Sequence, residues 1–145
     1  CVTGIDLIKE QIRIAAGKKL SYRQQDVRIG GHAIECRINA ENPKEQFRPS
    51  PGLITDVYFP GGKGVRIDTA VYNGYEVPAY YDSMLAKLIV HAKTRKEAIS
   101  KMRSALGEVI IEGVDTNVDY QYEIMNHPDY QAGNVDIEFI SEKMC

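Results

Sequence analysis

The sequence predicts an α+β fold in which helices flank an antiparallel β-sheet. Apolar residues alternate with period two in the middle of the chain, whereas helical spacing and capping residues mark both ends. Short links between the strand segments favour antiparallel pairing, with helices packed on the sheet. At 145 residues the chain has the size of one domain, so residues 1–145 are predicted to form a single domain.

The first predicted element is a helix close to the start of the chain. Thr3 is a candidate N-cap with Asp6 three residues later, and Ile8 and Ile12 then recur at helical spacing until Gly17. The helix signal begins almost at once, and the first residue is cysteine, not methionine. We therefore expect the chain to be a piece of a longer protein.

Extended segments and loops alternate after this helix. Residues 18–31 predict a polar connection with a short extended piece around Val27 and Ile29. The stretch 31–41 (GHAIECRINAE) alternates as a strand does. Three prolines in residues 41–52 indicate a loop.

Two further apolar stretches, 53–59 and 65–71, predict a hairpin that turns at residues 60–64 (PGGKG). The glycines resemble a phosphate-binding loop only superficially. Such a loop needs the spacing GxxxxGK[ST] and must open a helix, whereas a strand pattern follows here. The apolar stretch 84–91 predicts another strand.

The last third of the chain predicts two helices. Thr94 and Glu97 have the spacing of a capping box. The core-facing stripe of this helix contains Ala98, Met102, Ala105, Leu106 and Val109. A second helix is predicted to begin near Thr116 or Asn117 and to end before Pro128. Its inward residues are Val118, Tyr122 and Met125.

Composition excludes several classes of function. A net charge of −2 argues against a nucleic-acid-binding surface. No apolar run reaches the roughly 18 residues of a membrane span, and no leader-like segment is present, so a cytoplasmic protein without membrane attachment is expected. Cys1, Cys36 and Cys145 are widely spaced and the histidines are scattered, which predicts neither a disulfide nor a metal site. Cys36 is interpreted as a small core residue.

The strand at 31–41 carries the first candidate functional residue. One side of the strand has the apolar residues Ile34, Cys36, Ile38 and Ala40. The other side has Glu35, Arg37 and Asn39. The Arg37 guanidinium is permanently charged, and its planar donors suit a carboxylate, a phosphate or a developing oxyanion. The alternative is an amphipathic strand whose polar face is only solvated.

A second candidate lies in residues 80–83 (YYDS). Asp82 is either a turn residue or strand cap, or a carboxylate that pairs with an arginine and orients it. No GxSxG motif and no Cys–His–Asn set is evident, so covalent hydrolysis is not supported. From its residues alone, the chain is predicted to be a domain that lends an arginine to a site completed elsewhere.

Five blocks, in order and at compatible spacing, resemble the biotin carboxylase family. They are 2–11 (VTGIDLIKEQ), 31–41 (GHAIECRINAE), 49–52 (PSPG), 81–89 (YDSMLAKLI) and 113–117 (GVDTN). The resemblance covers nearly the whole chain and corresponds to the carboxy-terminal third of the enzyme, including its C-terminal domain. It implies a fragment of an ATP-grasp ligase. That family uses MgATP to activate bicarbonate as carboxyphosphate and then carboxylates N1′ of biotin, which a partner protein carries.

The resemblance also assigns residues. Arg37 matches the catalytic arginine that contacts biotin and bicarbonate, and Asp82 and Glu35 are expected to support it. Arg66 matches a dimer contact of bacterial members. Lys63 stands where the family commonly has an apolar or aromatic residue, which puts that same dimer in doubt. No metal ligand is assigned.

The resemblance implies the following cofactors and partners. MgATP and bicarbonate would be bound mainly by upstream residues, so the chain alone is expected to be inactive. The expected partners are the biotin carboxyl carrier protein, carboxyltransferase subunits and a second copy of the enzyme. The chain has no Met-Lys-Met biotin attachment sequence and stops about where free-standing bacterial subunits stop. Both features favour a subunit of acetyl-CoA carboxylase, which acts in fatty acid synthesis.

Three alternatives stay open at this point. The first is the biotin carboxylase part of a propionyl-CoA or pyruvate carboxylase. The second is a non-catalytic dimerisation or assembly module. The third is a different ATP-grasp enzyme of purine or carbamoyl-phosphate metabolism, which the blocks at 31–41 and 81–89 make the weaker interpretation.

Overall fold

The computed structural model describes residues 1–144, and Cys145 lies outside them. The strands are β1 His32–Asn39, β2 Glu41–Asn42, β3 Arg48–Pro49, β4 Gly52–Leu53, β5 Asp56–Tyr58, β6 Val65–Thr69, β7 Glu76–Val77, β8 Met84–Ala92 and β9 Ile110–Glu112. The α-helices are α1 Leu7–Ala15, α2 Arg95–Glu108, α3 Val118–Asn126, α4 Pro128–Ala132 and α5 Phe139–Lys143. Two short 3₁₀ turns span Gln24–Asp26 and Pro43–Glu45.

The main sheet is antiparallel, with the strand order β1–β8–β6. In the central strand β8, Leu88 pairs with Cys36 of β1 and Val90 pairs with Val65 of β6. Helix α2 packs across β1 and β8, and α3 packs against α2. The predicted α+β fold, with helices on an antiparallel sheet, is therefore confirmed.

The core forms where the apolar side of the sheet meets the α2 stripe. Ile34, Cys36, Ile38, Ala86, Leu88, Val90, Ala98, Ile99, Met102, Ala105 and Leu106 are all buried there. The predicted inward residues Ile34, Cys36 and Ile38 of β1, and Ala98, Met102, Ala105 and Leu106 of α2, are thus confirmed, because strand alternation and helical spacing both align apolar side chains on one side. Ala40 is buried in a second, smaller cluster, and Val109 is only partly buried at the C-cap of α2.

Cys36 offers a test of this core. Burial first, and the negative charge of Glu35 second, raise the pKa of the Cys36 thiol from 9.0 to about 12. The thiolate is the reactive form, so folded protein at pH 8 should leave Cys36 unalkylated while exposed Cys1 reacts. Unfolding restores the ordinary pKa, so this thiol's contribution to the free energy of unfolding is lost as pH rises from 9.0 towards 12. Peptide mapping after iodoacetamide treatment, with and without denaturant, measures the labelling of each cysteine. Equal labelling of Cys1 and Cys36 in the folded protein would contradict the prediction.

The predicted hairpin between residues 53–59 and 65–71 is wrong. Strand β6 pairs with β8, β5 pairs with β9, and β4 pairs with β7. The link between β5 and β6 ends against β8, where the His91 N–H donates to the Gly64 carbonyl at 2.8 Å. The approach requires glycine: Gly64 has φ +76°, and a Cβ there would lie 2.6 Å from the His91 carbonyl oxygen. The turn prediction for the glycines therefore holds, but the pairing follows packing against β8.

Four local predictions also need correction. Asp6, not Thr3, caps α1, since its carboxylate accepts a hydrogen bond from the Lys9 N–H. The predicted loop 41–52 contains the short β2–β3 ladder, with Pro49 on its edge. Residues 27–29 belong to no strand. Tyr122 is 40% exposed and does not face inward.

The α2 capping box is only half formed. The Thr94 hydroxyl accepts from the Glu97 N–H at 3.2 Å, as predicted. The Glu97 carboxylate, however, accepts from the N–H of Lys93 and not from that of Thr94. The cap therefore extends one residue further back along the chain.

No part of residues 1–144 covers the apolar stripe of α1. Leu7, Ile8 and Ile12 are each exposed by about two thirds. Within α1 the buried residue is Glu10, which accepts a hydrogen bond from the Ser21 N–H at 2.9 Å. Among residues 1–144, no helix has the length and apolarity needed to cross a membrane.

Candidate functional site

Arg37 stands on the solvent side of the main sheet. Its neighbours in β1, Cys36 and Ile38, are 2% and 0% exposed, so packing holds the backbone beneath it. Across the sheet it pairs with Lys87 of β8. The Arg37 side chain is 54% exposed. The guanidinium is therefore accessible while its base is rigid.

Asp82 lies beside this guanidinium and also occupies the turn position that the sequence offered as the alternative. Its Oδ1 accepts a hydrogen bond from the Met84 N–H at 2.8 Å, which is the turn role. Its Oδ2 lies 3.8 Å from Nη2 of Arg37. Because both side chains are more than half exposed, this ion pair contributes less than about 1 kcal/mol to stability. No residue in 1–144 accepts a hydrogen bond from the Arg37 guanidinium, so its donors remain available.

The turn that carries Asp82 is tied to the end of β1. The Ala40 N–H donates to the Ser83 carbonyl at 2.8 Å. Glu41 accepts hydrogen bonds from the Ser83 hydroxyl and, at 3.3 Å, from the Asn39 side-chain amide. Asp82 directly precedes Ser83, so these contacts hold it next to the strand of Arg37.

A β-bulge interrupts the pairing one residue beyond Arg37. Ile38 pairs with Ala86 but Asn39 pairs with Met84, which leaves Leu85 as the extra residue on β8. Leu85 is 4% exposed and belongs to the smaller core cluster. Its carbonyl accepts a hydrogen bond from the Thr69 hydroxyl at 2.7 Å. Bulges bend a strand and redirect its side chains. This bulge lies between the Arg37–Lys87 pair and the turn that carries Asp82.

Glu35 and Arg66 lie further along the same side of the sheet. Glu35 makes no ion pair with Arg37; it pairs across the sheet with Ile89, which in turn pairs with Arg66. Arg66 donates to both carboxylate oxygens of Asp68, at 2.7 and 2.8 Å. This bidentate hydrogen bond raises the pKa of Arg66 and lowers that of Asp68. Arg66 is thus held by a neighbour on its own strand. Glu35 lies in the same cross-strand row as Arg66 and makes no ion pair with Arg37.

A wide cleft lies away from these groups. It encloses about 1040 Å³ between the 60–64 turn, the end of β8 and α2, and neither Arg37 nor Asp82 lines it. The Lys101 ammonium donates there to the carbonyls of Lys63 and His91, at 3.0 and 2.9 Å, which is a structural contact. No group of three or more metal-ligating side chains occurs in the described part of the chain. The predicted site residues Arg37 and Asp82 therefore lie outside this cleft, on an exposed part of the surface.

Comparison with known proteins places the chain in a family. A family model described as the biotin carboxylase C-terminal domain matches residues 35–142, which include all four predicted site residues. The biotin carboxylase of Allochromatium vinosum is 54% identical over 99% of this chain and 31% of its own length. The chain belongs to the biotin carboxylase C-terminal domain family.

Other members of this family include parts of different carboxylases. A pyruvate carboxylase subunit from Methanothermobacter thermautotrophicus is 51% identical over 97% of this chain and 29% of its own length. A crystal structure of the biotin carboxylase domain dimer of Hydrogenobacter thermophilus 2-oxoglutarate carboxylase contains MgADP, ADP and bicarbonate. It matches with a TM-score of 0.95 and 48% identity, over 97% of this chain and 31% of that one. The chain spans about a third of the length of its curated relatives.

The resemblance found in the sequence is thus confirmed, as is the biotin carboxylase C-terminal domain fold. Sequence reasoning assigned no role to Glu41, Ser83 or Asn117, although the structure connects all three to the strand of Arg37 or to the turn of Asp82. Each of them lies within one of the blocks that carry the resemblance. Their positions within those blocks were the sequence signal that could have marked them as residues that support the site.

Proposed function

We propose that this chain is the C-terminal domain of a biotin carboxylase and that Arg37 acts where carrier-bound biotin is carboxylated. The observation that carries the proposal is an accessible guanidinium with uncommitted donors on a strand whose opposite side is packed in the core. The full-length protein would be a ligase that uses ATP and bicarbonate to form the N1′ carboxylate of biotin. Residues 1–145 would contribute one domain to it.

The chemistry of Arg37 suits this step. Loss of the N1′ proton moves negative charge onto the ureido oxygen of biotin, and a fixed guanidinium beside that oxygen stabilises the charge as it develops. Asp82 would orient the guanidinium from one side without taking up its donors. The same donors suit a bicarbonate oxygen. MgATP would be held mainly by residues outside this chain.

The reaction as a whole and its partners are part of the proposal. The carboxylated biotin would be carried by a biotin carboxyl carrier protein and used by carboxyltransferase subunits, with acetyl-CoA as the acceptor. A pyruvate or propionyl-CoA carboxylase is the alternative, and the similar identities to a biotin carboxylase and to part of a pyruvate carboxylase, 54% and 51%, support both. A homodimer of the full-length enzyme is also proposed, since a related domain crystallised as a dimer.

Biotin-dependent ADP release tests the proposal. The full-length enzyme that contains this chain should release ADP in the presence of biotin and bicarbonate, and the chain alone should release none, because no nucleotide site is assigned to it. Folded full-length protein without biotin-dependent ADP release would contradict the ligase assignment.

A second candidate function, as an assembly module, rests on Arg66. This residue is 65% exposed on an outer strand of the sheet, where a partner copy can reach it. In the full-length enzyme, Arg66→Ala should lower the dimer fraction measured by sedimentation. Biotin-dependent ADP release should fall only as far as the loss of dimer explains. An assembly-only function would be supported if Arg66→Ala dissociates the dimer while Arg37→Ala leaves turnover unchanged.

A further inference from the structure

We propose that Asn117 is a positioning residue for Arg37, acting through the backbone of β1 at the point where the Arg37 side chain begins. The inference builds on the role proposed above for Arg37. It concerns a residue that touches neither the guanidinium nor the surface around it.

One edge of β1 has no neighbouring strand in the main sheet. This strand lies at one side of the sheet and pairs only with β8 within it, so every second peptide group points away from the sheet. Asn117 occupies that edge. Its side-chain amide donates to the Arg37 carbonyl at 3.1 Å, and its side-chain oxygen accepts from the Asn39 N–H at 2.9 Å. Its own N–H donates to the Asn39 carbonyl at 3.2 Å. One residue thereby replaces a strand partner for Arg37 and Asn39.

The Asn117 side chain does not cap its own helix. It is the N-cap residue of α3, and an asparagine at this position usually accepts a hydrogen bond from the first turn of its own helix. Here the side chain makes no capping hydrogen bond, because both of its polar groups are bonded to β1. Asn117 is also only 5% exposed. A buried side-chain amide is costly unless its polar atoms are hydrogen-bonded. The position of the Asn117 side chain therefore depends on its hydrogen bonds to β1.

The backbone contact of Asn117 bears on the guanidinium through the base of the Arg37 side chain. Helix α3 is anchored in the core by Ile124 and Met125, so Asn117 projects from a fixed base. The direction of the Arg37 side chain depends on the backbone that Asn117 holds. A misplacement of about 1 Å can reduce turnover about 10²-fold, even when its origin is remote from the reacting atoms. Asp82 acts on the guanidinium end and Asn117 on the backbone end of the same side chain.

Asn117→Asp in the full-length enzyme tests the inference. An aspartate can still accept from the Asn39 N–H but cannot donate to the Arg37 carbonyl. Biotin-dependent ADP release should fall about 10- to 100-fold, with the KM for ATP unchanged. The matched control is Asn126→Asp, which removes a similar side-chain donor to the Tyr122 carbonyl, 2.8 Å away on the same helix. The control should stay within about twofold of the parent enzyme.

A double-mutant cycle distinguishes positioning from a general loss of structure. If Asn117 acts through Arg37, then Asn117→Asp should change turnover by no more than about twofold in the Arg37→Ala background. An equal decrease in both backgrounds overturns the inference, as does full activity of Asn117→Asp in an enzyme that Arg37→Ala impairs.

A separate measurement keeps the inference testable if the proposed function fails. Should Arg37→Ala have no effect on turnover, the role of Arg37 is refuted, and Asn117 is judged by amide hydrogen exchange. In Asn117→Ala the Asn39 amide, having lost its acceptor, should exchange at least about tenfold faster than in the parent. Unchanged exchange at Asn39 overturns the positioning contact.

Discussion

Replacing Arg37 with alanine in the full-length enzyme should lower biotin-dependent turnover by about 10²- to 10³-fold, as the loss of one donor to a developing oxyanion typically does. The fold should be unaffected, because the side chain is 54% exposed and its ion pair with Asp82 is long, at 3.8 Å. Steady-state ADP release at saturating ATP and bicarbonate measures the effect, and sedimentation confirms that the oligomeric state is unchanged.

Two further variants sharpen this prediction. Arg37→Lys keeps the charge but loses the planar pair of donors, so it should restore only part of the activity. Arg48→Ala is the matched control, since Arg48 is another exposed arginine in an ion pair, 3.1 Å from Glu45. If Arg37→Ala and Arg48→Ala are equally active, Arg37 has no catalytic role and the solvated-strand interpretation is correct.

Leu88→Ala should lower the free energy of unfolding by about 2–5 kcal/mol, the range for removing a large apolar side chain from a packed core. Leu88 is 0% exposed in the central strand, and it pairs with Cys36 on one side and Ile67 on the other. The cavity would therefore open in the core between the sheet and α2. Urea denaturation followed by circular dichroism measures the change.

Leu53→Ala is the control for this stability measurement. Leu53 is 54% exposed, so the same atoms are removed with little change in burial, and an effect within about 0.5 kcal/mol is expected. Similar losses for Leu88 and Leu53 would contradict the assignment of β8 to the centre of the core.

Much of the fold could be predicted because the relevant signals are local. Alternation places Cys36 and Ile38 on the opposite side of β1 from Arg37, and this follows from strand geometry whatever the strand pairs with. The spacing of Ala98 and Met102 likewise identifies the buried side of α2. These predictions needed only neighbours a few residues apart.

Strand pairing could not be predicted in the same way. The segment 65–71 was expected to pair with the segment before it, across a short glycine-rich turn. It pairs with β8 instead, and beside that strand Val65 and Ile67 pack against the core. A turn sequence permits a hairpin but does not require one when a more apolar strand is available elsewhere in the chain.

The sequence by itself determined which side of β1 is buried, that Arg37 lies on the other side, and which family the chain resembles. Only the tertiary structure decided what surrounds Arg37. Asn117 is 80 residues away in sequence from Arg37, and Ser83 is 42 residues away from Glu41, yet hydrogen bonds join both pairs. Such contacts depend on how α3 and the turn before β8 pack against the finished sheet. No local pattern encodes that packing, because it arises from the burial of the whole core at once.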